Sequence, residues 1–236
     1  MTAPQRTLRV VGESDDDAHT GVAQISPHEV RLRDENRLPV LTSALVSGDD
    51  DAEDADNWNP AVWLVSAHGG AGATTLAAMC DGFGDAGRAW PAADRHPWCV
   101  VVCRENQHGL SSAQQVVLQA ATGQAGSCRA LGVITVADAP GKTPKQLTPA
   151  LRVLKEIAPV WRVGWVDQLR VTDLDDLAHW QPGQQIPDKP RLSRKIAVTK
   201  QVPREVAEVA AEIFAQAAEN HRIVADGDNK TKESEE

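Results

Sequence analysis

The sequence predicts an α/β fold, a doubly wound and mostly parallel sheet with helices on its faces. Three observations point there. Four apolar runs, at residues 61–67, 98–103, 130–137 and 160–166, are nearly continuous rather than alternating, as strands covered on both sides must be. Between the later runs lie stretches whose apolar residues recur at helical spacing. The first run also stops at a glycine-rich turn before a helix starts, so strand and helix follow one another from the outset.

Each element has its own justification. The first strand reads A-V-W-L-V-S-A, and its helix starts near Thr74 with Leu76, Ala77, Met79 and Cys80 able to share a face. Glycines at 82, 84 and 87 break the period, so the helix is expected to end by 82–87. The second strand, W-C-V-V-V-C, delivers Arg104 and Glu105 to the edge that carries the glycine turn, provided the strands are parallel. A helix over 110–121 follows through Ala113, Val116, Val117 and Ala120. The third strand, A-L-G-V-I-T-V-A, closes on Asp138-Ala139-Pro140-Gly141, and a helix over 144–157 aligns Leu147, Leu151, Leu154 and Ile157. After the fourth strand, residues 203–220 form an amphipathic helix through Val206, Val209, Ala210, Ile213 and Ala217, placed either on the sheet or away from it. Trp63, Trp98, Trp161 and Trp165 stand at strand positions and are expected to fill the core.

The chemistry concentrates at the first turn. A strand, a loop whose glycines leave backbone N–H groups bare, and a helix start aimed at that loop make a cradle for phosphate. The pattern G-x-x-x-x-G-K-[ST] meets Ala67 at its first position, Gly72 at its sixth, Ala73 in place of the lysine and Thr74 at the hydroxyl. A dinucleotide fingerprint fits less well, because its third glycine falls on Thr75 and no acidic residue closes a second strand some twenty residues on. No G-x-S-x-G elbow is present, and His68, His96, His108, Asp94 and Glu105 lack metal-ligand spacing.

At His68-Gly69-Gly70-Ala71-Gly72-Ala73-Thr74-Thr75 the stretch resembles the P-loop of ParA/MinD-type ATPases, which reads K-G-G-x-G-K-T-T. The resemblance implies a P-loop NTPase-like sheet reduced in strand number. It implies a nucleotide or phosphate site at Gly69, Gly70, Ala71, Gly72, Ala73, Thr74 and Thr75, with ATP or ADP as ligand and Thr74 on magnesium. Both of that family's lysines are replaced, by His68 and Ala73. One such group is worth about a hundredfold or more in rate, so a binder that does not hydrolyse, or does so very slowly, is expected rather than an ATPase.

His68, Arg104, Asp138 and Lys142 are the accessory candidates, Lys142 as a charge offered to the cradle in place of the lost lysine. Asp138 has two alignments. It either closes a strand as the carboxylate that orients magnesium, or lies in the base-recognition region, with the strands for switch and metal-orienting residues absent. Spacing favours the second, since C-V-V-V-C-R-E-N, L-G-V-I-T-V-A-D and V-G-W-V-D-Q-L-R keep the order of the family's later strands. Residues 60–172 also resemble uncharacterised actinobacterial proteins borne on plasmids, phages and conjugative elements, which implies a partition-like or mobile-element setting.

Composition bounds the rest. A net charge of −9 argues against a general nucleic-acid face, and the basic group at Lys189, Arg191, Arg194, Lys195, Lys200 and Arg204 has no interleaved aromatic. Residues 1–59, with the acidic run 49–56, are expected to be a mostly disordered arm apart from strand-like pieces at 7–11 and 38–46. Residues 60–180 form the folded domain, and 181–236 a linker, the helix and a charged tail from 226. Cys80, Cys99, Cys103 and Cys128 read as reduced, buried thiols of a cytoplasmic chain, with no signal peptide and no membrane span. The second functional class is therefore an adaptor that binds protein partners through the acidic arm and the C-terminal helix.

Overall fold

The computed structural model describes residues 37–41, 60–92, 97–188 and 196–233. Its centre is a five-stranded sheet, all parallel: β1 (Val62–Ser66), β2 (Phe83–Asp85), β3 (Trp98–Arg104), β4 (Arg129–Val136) and β5 (Val160–Val163), in the order β2-β1-β3-β4-β5. That 2-1-3-4-5 order is one of the common orders of doubly wound sheets, and it reverses direction between β1 and β3. Such sheets hold ligands outside the carboxyl ends of the strands at the reversal.

Both faces are covered, which is why the strands are apolar throughout. On one face α1 (Ala73–Met79) and the start of α4 (Arg204–Glu233) pack with Val62, Leu64, Val100, Val102 and Ile134. On the other, α2 (Gln107–Ala121) and α3 (Thr148–Ile157) cover Trp63, Val65, Val101 and Val133. Leu131 is one residue extra in β4, because Cys99 pairs with Ala130 and Val100 with Gly132. The bulge explains why Leu131 and Ile134, three apart, share one face while Val133 serves the other.

Several elements differ from expectation. α1 has only seven residues, and the glycines beyond it frame a strand, β2, whose three residues are too few to show a period. β5 stops at Val163, three residues short of the expected run, because the 164 amide bonds the Glu205 carboxylate at 2.7 Å instead of a neighbouring strand. α4 extends to Glu233, taking in 226–233 of the expected tail, and so both packs and projects. Val206, Ala207, Ala210, Ile213 and Ala217 are buried, while Ile223 is 60% exposed. Trp63 and Trp98 are core residues as expected, whereas Trp161 and Trp165 are only half-buried. All four cysteines are buried free thiols.

Of the expected N-terminal arm, residues 37–41 are described, and they are docked. Val40 pairs in parallel with Trp90, and Leu38 is buried. The other arm residues, including the acidic run and 7–11, lie outside the described residues, as do 93–96 and 189–195. Among the described residues no helix is long and apolar enough to cross a membrane.

Candidate functional site

β1 ends at the reversal of strand order, so the turn after it lies at the carboxyl rim beside the end of β3. Gly70 (φ 74°) and Gly72 (φ 104°) hold left-handed backbone that a side chain would strain, and Gly72 caps α1 in that conformation. The turn stands open, since a Cβ at Gly69 or Gly70 would meet no atom within 4 Å. Residues 69–70 form a hydrogen-bonded turn that engages the Ala71 N–H; among the described residues the N–H groups of Gly69, Gly70 and Gly72 to Thr75 donate to no protein acceptor, and that of Leu76 bonds the Gly72 carbonyl at 3.1 Å. A run of bare donors with positive-φ glycines is the arrangement that concentrates anions.

The side chains around the turn are distributed differently from the expectation. His68, at the position of the first lysine, is buried. Its Nε2 accepts the Arg104 amide at 3.0 Å, so Nδ1 carries the proton and donates to the Gly69 carbonyl at 2.9 Å. It pins the turn to β3 and offers no charge outward. α2 presses close behind it, a Cβ on residue 109 lying 3.0 Å from His68 Nε2 and 2.2 Å from the Arg104 carbonyl, which only glycine tolerates.

Arg104 supplies the cation. Its Nε donates to the Gly70 carbonyl at 3.0 Å and Nη1 to the Ala137 carbonyl at 3.3 Å, laying the guanidinium across the ends of β1 and β4. Thr74 donates its hydroxyl to Asp85 Oδ2 at 2.6 Å. Asp85 closes β2, the strand beside β1, and its other oxygen accepts the residue 87 amide at 2.8 Å. A hydroxyl and a carboxylate oxygen in contact at the mouth of the turn are the donor types a hard divalent cation takes. Among the described residues no group of three or more His, Cys, Asp or Glu forms a metal cluster, so such a cation would need a ligand's oxygens to complete its shell.

Asp138 and Lys142 lie elsewhere. Asp138 accepts from Asn106 Nδ2 at 3.1 Å, and Asn106 caps α2 by accepting the residue 109 amide at 2.8 Å. With Asn106, Gln107 and Pro140, Asp138 and Lys142 line a separate hollow of about 300 Å³. The carboxylate paired with Thr74 is therefore Asp85, not Asp138, and Lys142 does not line the hollow beside the turn. Sequence reasoning missed Asp85 because a three-residue strand between glycines carries no pattern.

Glu105 was missed in its real role as well. Its buried carboxylate accepts Arg162 Nε at 3.0 Å on both oxygens, and Thr143 donates its hydroxyl to the same carboxylate. Arg162 also donates to the 141 carbonyl at 3.2 Å. This network straps the loop after β4 to the rim and settles the Glu105 charge. Directly beside the glycine turn is a hollow of about 110 Å³ lined by Gly72, Thr75, Leu76, Arg104, Val136 and Trp165, among others. Arg170 covers the Trp165 ring there, 5.9 Å from its centroid.

The model of a family of unknown function (DUF6668) matches residues 60–167, somewhat less than half of the chain. That stretch is the sheet with its glycine turn. No curated protein matches the chain. No solved structure matches it.

Proposed function

We propose that the chain is a phosphate- or nucleotide-binding regulator of degenerate P-loop type, one that holds its ligand without hydrolysing it at an ordinary rate. The observation that carries this reading is the run of N–H groups from Gly69 to Thr75, all but that of Ala71 without a protein acceptor among the described residues, at the reversal of a parallel sheet. The seven-residue α1 adds little dipole of its own, so the main-chain donors and the Arg104 guanidinium carry the attraction.

Magnesium, if it accompanies the ligand, fits between phosphate oxygens and the Thr74 hydroxyl, with Asp85 orienting that hydroxyl. The ion would neutralise phosphate charge that Asp85 otherwise repels. Turnover is disfavoured because no lysine stands at position 68 or 73 and His68 is committed to the fold. The 110 Å³ hollow is smaller than the roughly 300 Å³ at which small-molecule pockets begin. A nucleoside would therefore rest on the open rim, and affinity comes mainly from the phosphates. The partition-like or mobile-element setting implied by the resemblance belongs to the same proposal.

Calorimetry with ATP, ADP and inorganic phosphate, each with and without magnesium, tests it. Saturable binding with Kd between about 10 µM and 1 mM is expected, in the range that backbone donors and one cation support. Gly72→Val should abolish it, Asp85→Asn should remove its magnesium dependence, and Ala73→Lys should tighten it about tenfold. Absence of heat with all three ligands at about 5 mM overturns the reading.

The second reading, an adaptor for protein partners, is favoured by a different observation. α4 continues well past Ala217, the last buried residue among the described side chains, and presents Ile223 and Val224 to solvent. Ligand-independent partner binding that survives Gly72→Val but is lost on truncation after residue 218 would favour it over the first.

A further inference from the structure

The docked segment 37–41 occupies a groove built like a peptide receptor. Gln119, on α2, is 1% exposed, yet its amide is fully used: Oε1 accepts the Leu38 N–H at 3.0 Å, and Nε2 donates to the Leu38 carbonyl at 2.8 Å and to the Gln124 carbonyl at 3.0 Å. The Leu41 N–H donates to the Trp90 carbonyl, and the Trp90 N–H to the Pro39 carbonyl, each at 2.9 Å. Leu38, 3% exposed, enters the core cluster of Trp63, Trp90 and Val117, whereas its neighbours Arg37 and Pro39 face solvent. Val40 passes close over residue 126, whose added Cβ would lie 3.0 Å from Cγ1. Main-chain pairing with one buried anchor is the logic of peptide addition to an exposed backbone edge.

This peptide belongs to the groove by chemistry rather than by connection. Eighteen residues, 42–59, separate it from Pro60 and the start of the sheet. A chain of that length reaches about 60 Å at full extension. It carries Asp49, Asp50, Asp51, Glu53, Asp54 and Asp56, so the connections of two copies repel one another at low salt. Nothing in the four hydrogen bonds to the segment requires that it come from the same molecule.

We infer that the Trp90–Gln119 groove is an exchangeable docking site whose occupant can be residues 37–41 of a second copy of this chain, giving a reciprocal, two-fold dimer. Within one molecule the connection keeps the segment at an effective concentration of about 1 mM, so the isolated chain is mainly monomeric and exchange grows with concentration. Reciprocal exchange closes on itself and does not propagate.

The test uses two full-length variants. Leu38→Asp spoils the segment and leaves the groove, while Gln119→Leu spoils the groove and leaves the segment, because the N–H and C=O of a docked Leu38 would both lose the Gln119 side-chain amide. Each alone should be monomeric by sedimentation velocity at about 0.1 mM, and their equimolar mixture should form a one-to-one heterodimer. Raising the salt should promote it by screening the paired acidic connections. A labelled peptide of residues 34–44 should bind the Leu38→Asp chain about tenfold or more tightly than the Gln119→Leu chain. If both variants keep native circular dichroism yet neither the mixture nor the peptide associates up to about 1 mM, the inference is overturned. Failure of both Leu38→Asp and the milder Leu38→Ala to fold would make the segment a fixed part of the core, and overturns it equally.

Discussion

At the scale of single residues, the turn after β1 takes its charge from a neighbouring strand rather than from its own residues. Residues 68 and 73 are a buried histidine and an alanine, and the guanidinium at the turn comes from Arg104 at the end of β3. The hydroxyl of Thr74 is held by Asp85 at 2.6 Å, which fixes its direction at the mouth of the turn. The cysteines play no part in this chemistry. Burial pushes the thiols of Cys80 and Cys103 up to about 12, helped by the nearby carboxylates of Asp81 and Glu105 respectively. A thiol whose folded pKa lies above its unfolded value favours the folded state below the unfolded pKa, and that contribution drains away as pH rises through the folded one. Stability should thus decline between about pH 9 and pH 12, seen as a lower urea midpoint at pH 10 than at pH 8. Cys80 and Cys103 should also resist thiol reagents at pH 8 until urea unfolds the chain.

At the scale of elements, the rim is assembled from strand ends that must be held in register by something other than the sheet. The Glu105–Arg162 pair does this between β3 and β5, with the Glu105 side chain 3% and the Arg162 side chain 37% exposed. Arg162→Met should strand the buried carboxylate and cost about 3 kcal/mol, a fall of roughly 6–12 °C in Tm for a domain of this size. Adding Glu105→Leu to it should recover part of that loss, since an apolar pair leaves no buried charge. Differential scanning calorimetry of both variants checks the sign. The rhythm of four strands and their helices was legible because each long buried strand spells its apolar run. β2 was not, because three residues between glycines have no period, and with β2 went Asp85. Docking of 37–41 was equally hidden. Its anchor is one leucine and its receptor a glutamine within a helix, so neither departs from the local pattern.

For the molecule as a whole, strand order and ligand proposal are linked. A 2-1-3-4-5 sheet makes one crevice, at β1 and β3, and the glycine turn, Arg104 and the Thr74–Asp85 pair all gather beside it. The Trp90–Gln119 groove with its docked segment lies on the face covered by α2 and α3, whereas α1 and α4 cover the other. A ligand at the rim and a second copy on the α2 side would therefore occupy different surfaces. The sequence located the glycine turn but could not assign the side chains around it. Those assignments depend on which strands become neighbours. The central claim is that bare main-chain donors at this turn grip phosphate, and the most direct measurement is a titration of isotope-labelled protein with ADP and magnesium, followed through backbone amide resonances. The amides of Gly69 to Thr75 should shift together and saturate by about 1 mM, with inorganic phosphate reproducing much of the pattern. Unmoved resonances at the turn, or saturable shifts confined to another part of the chain, would contradict the account.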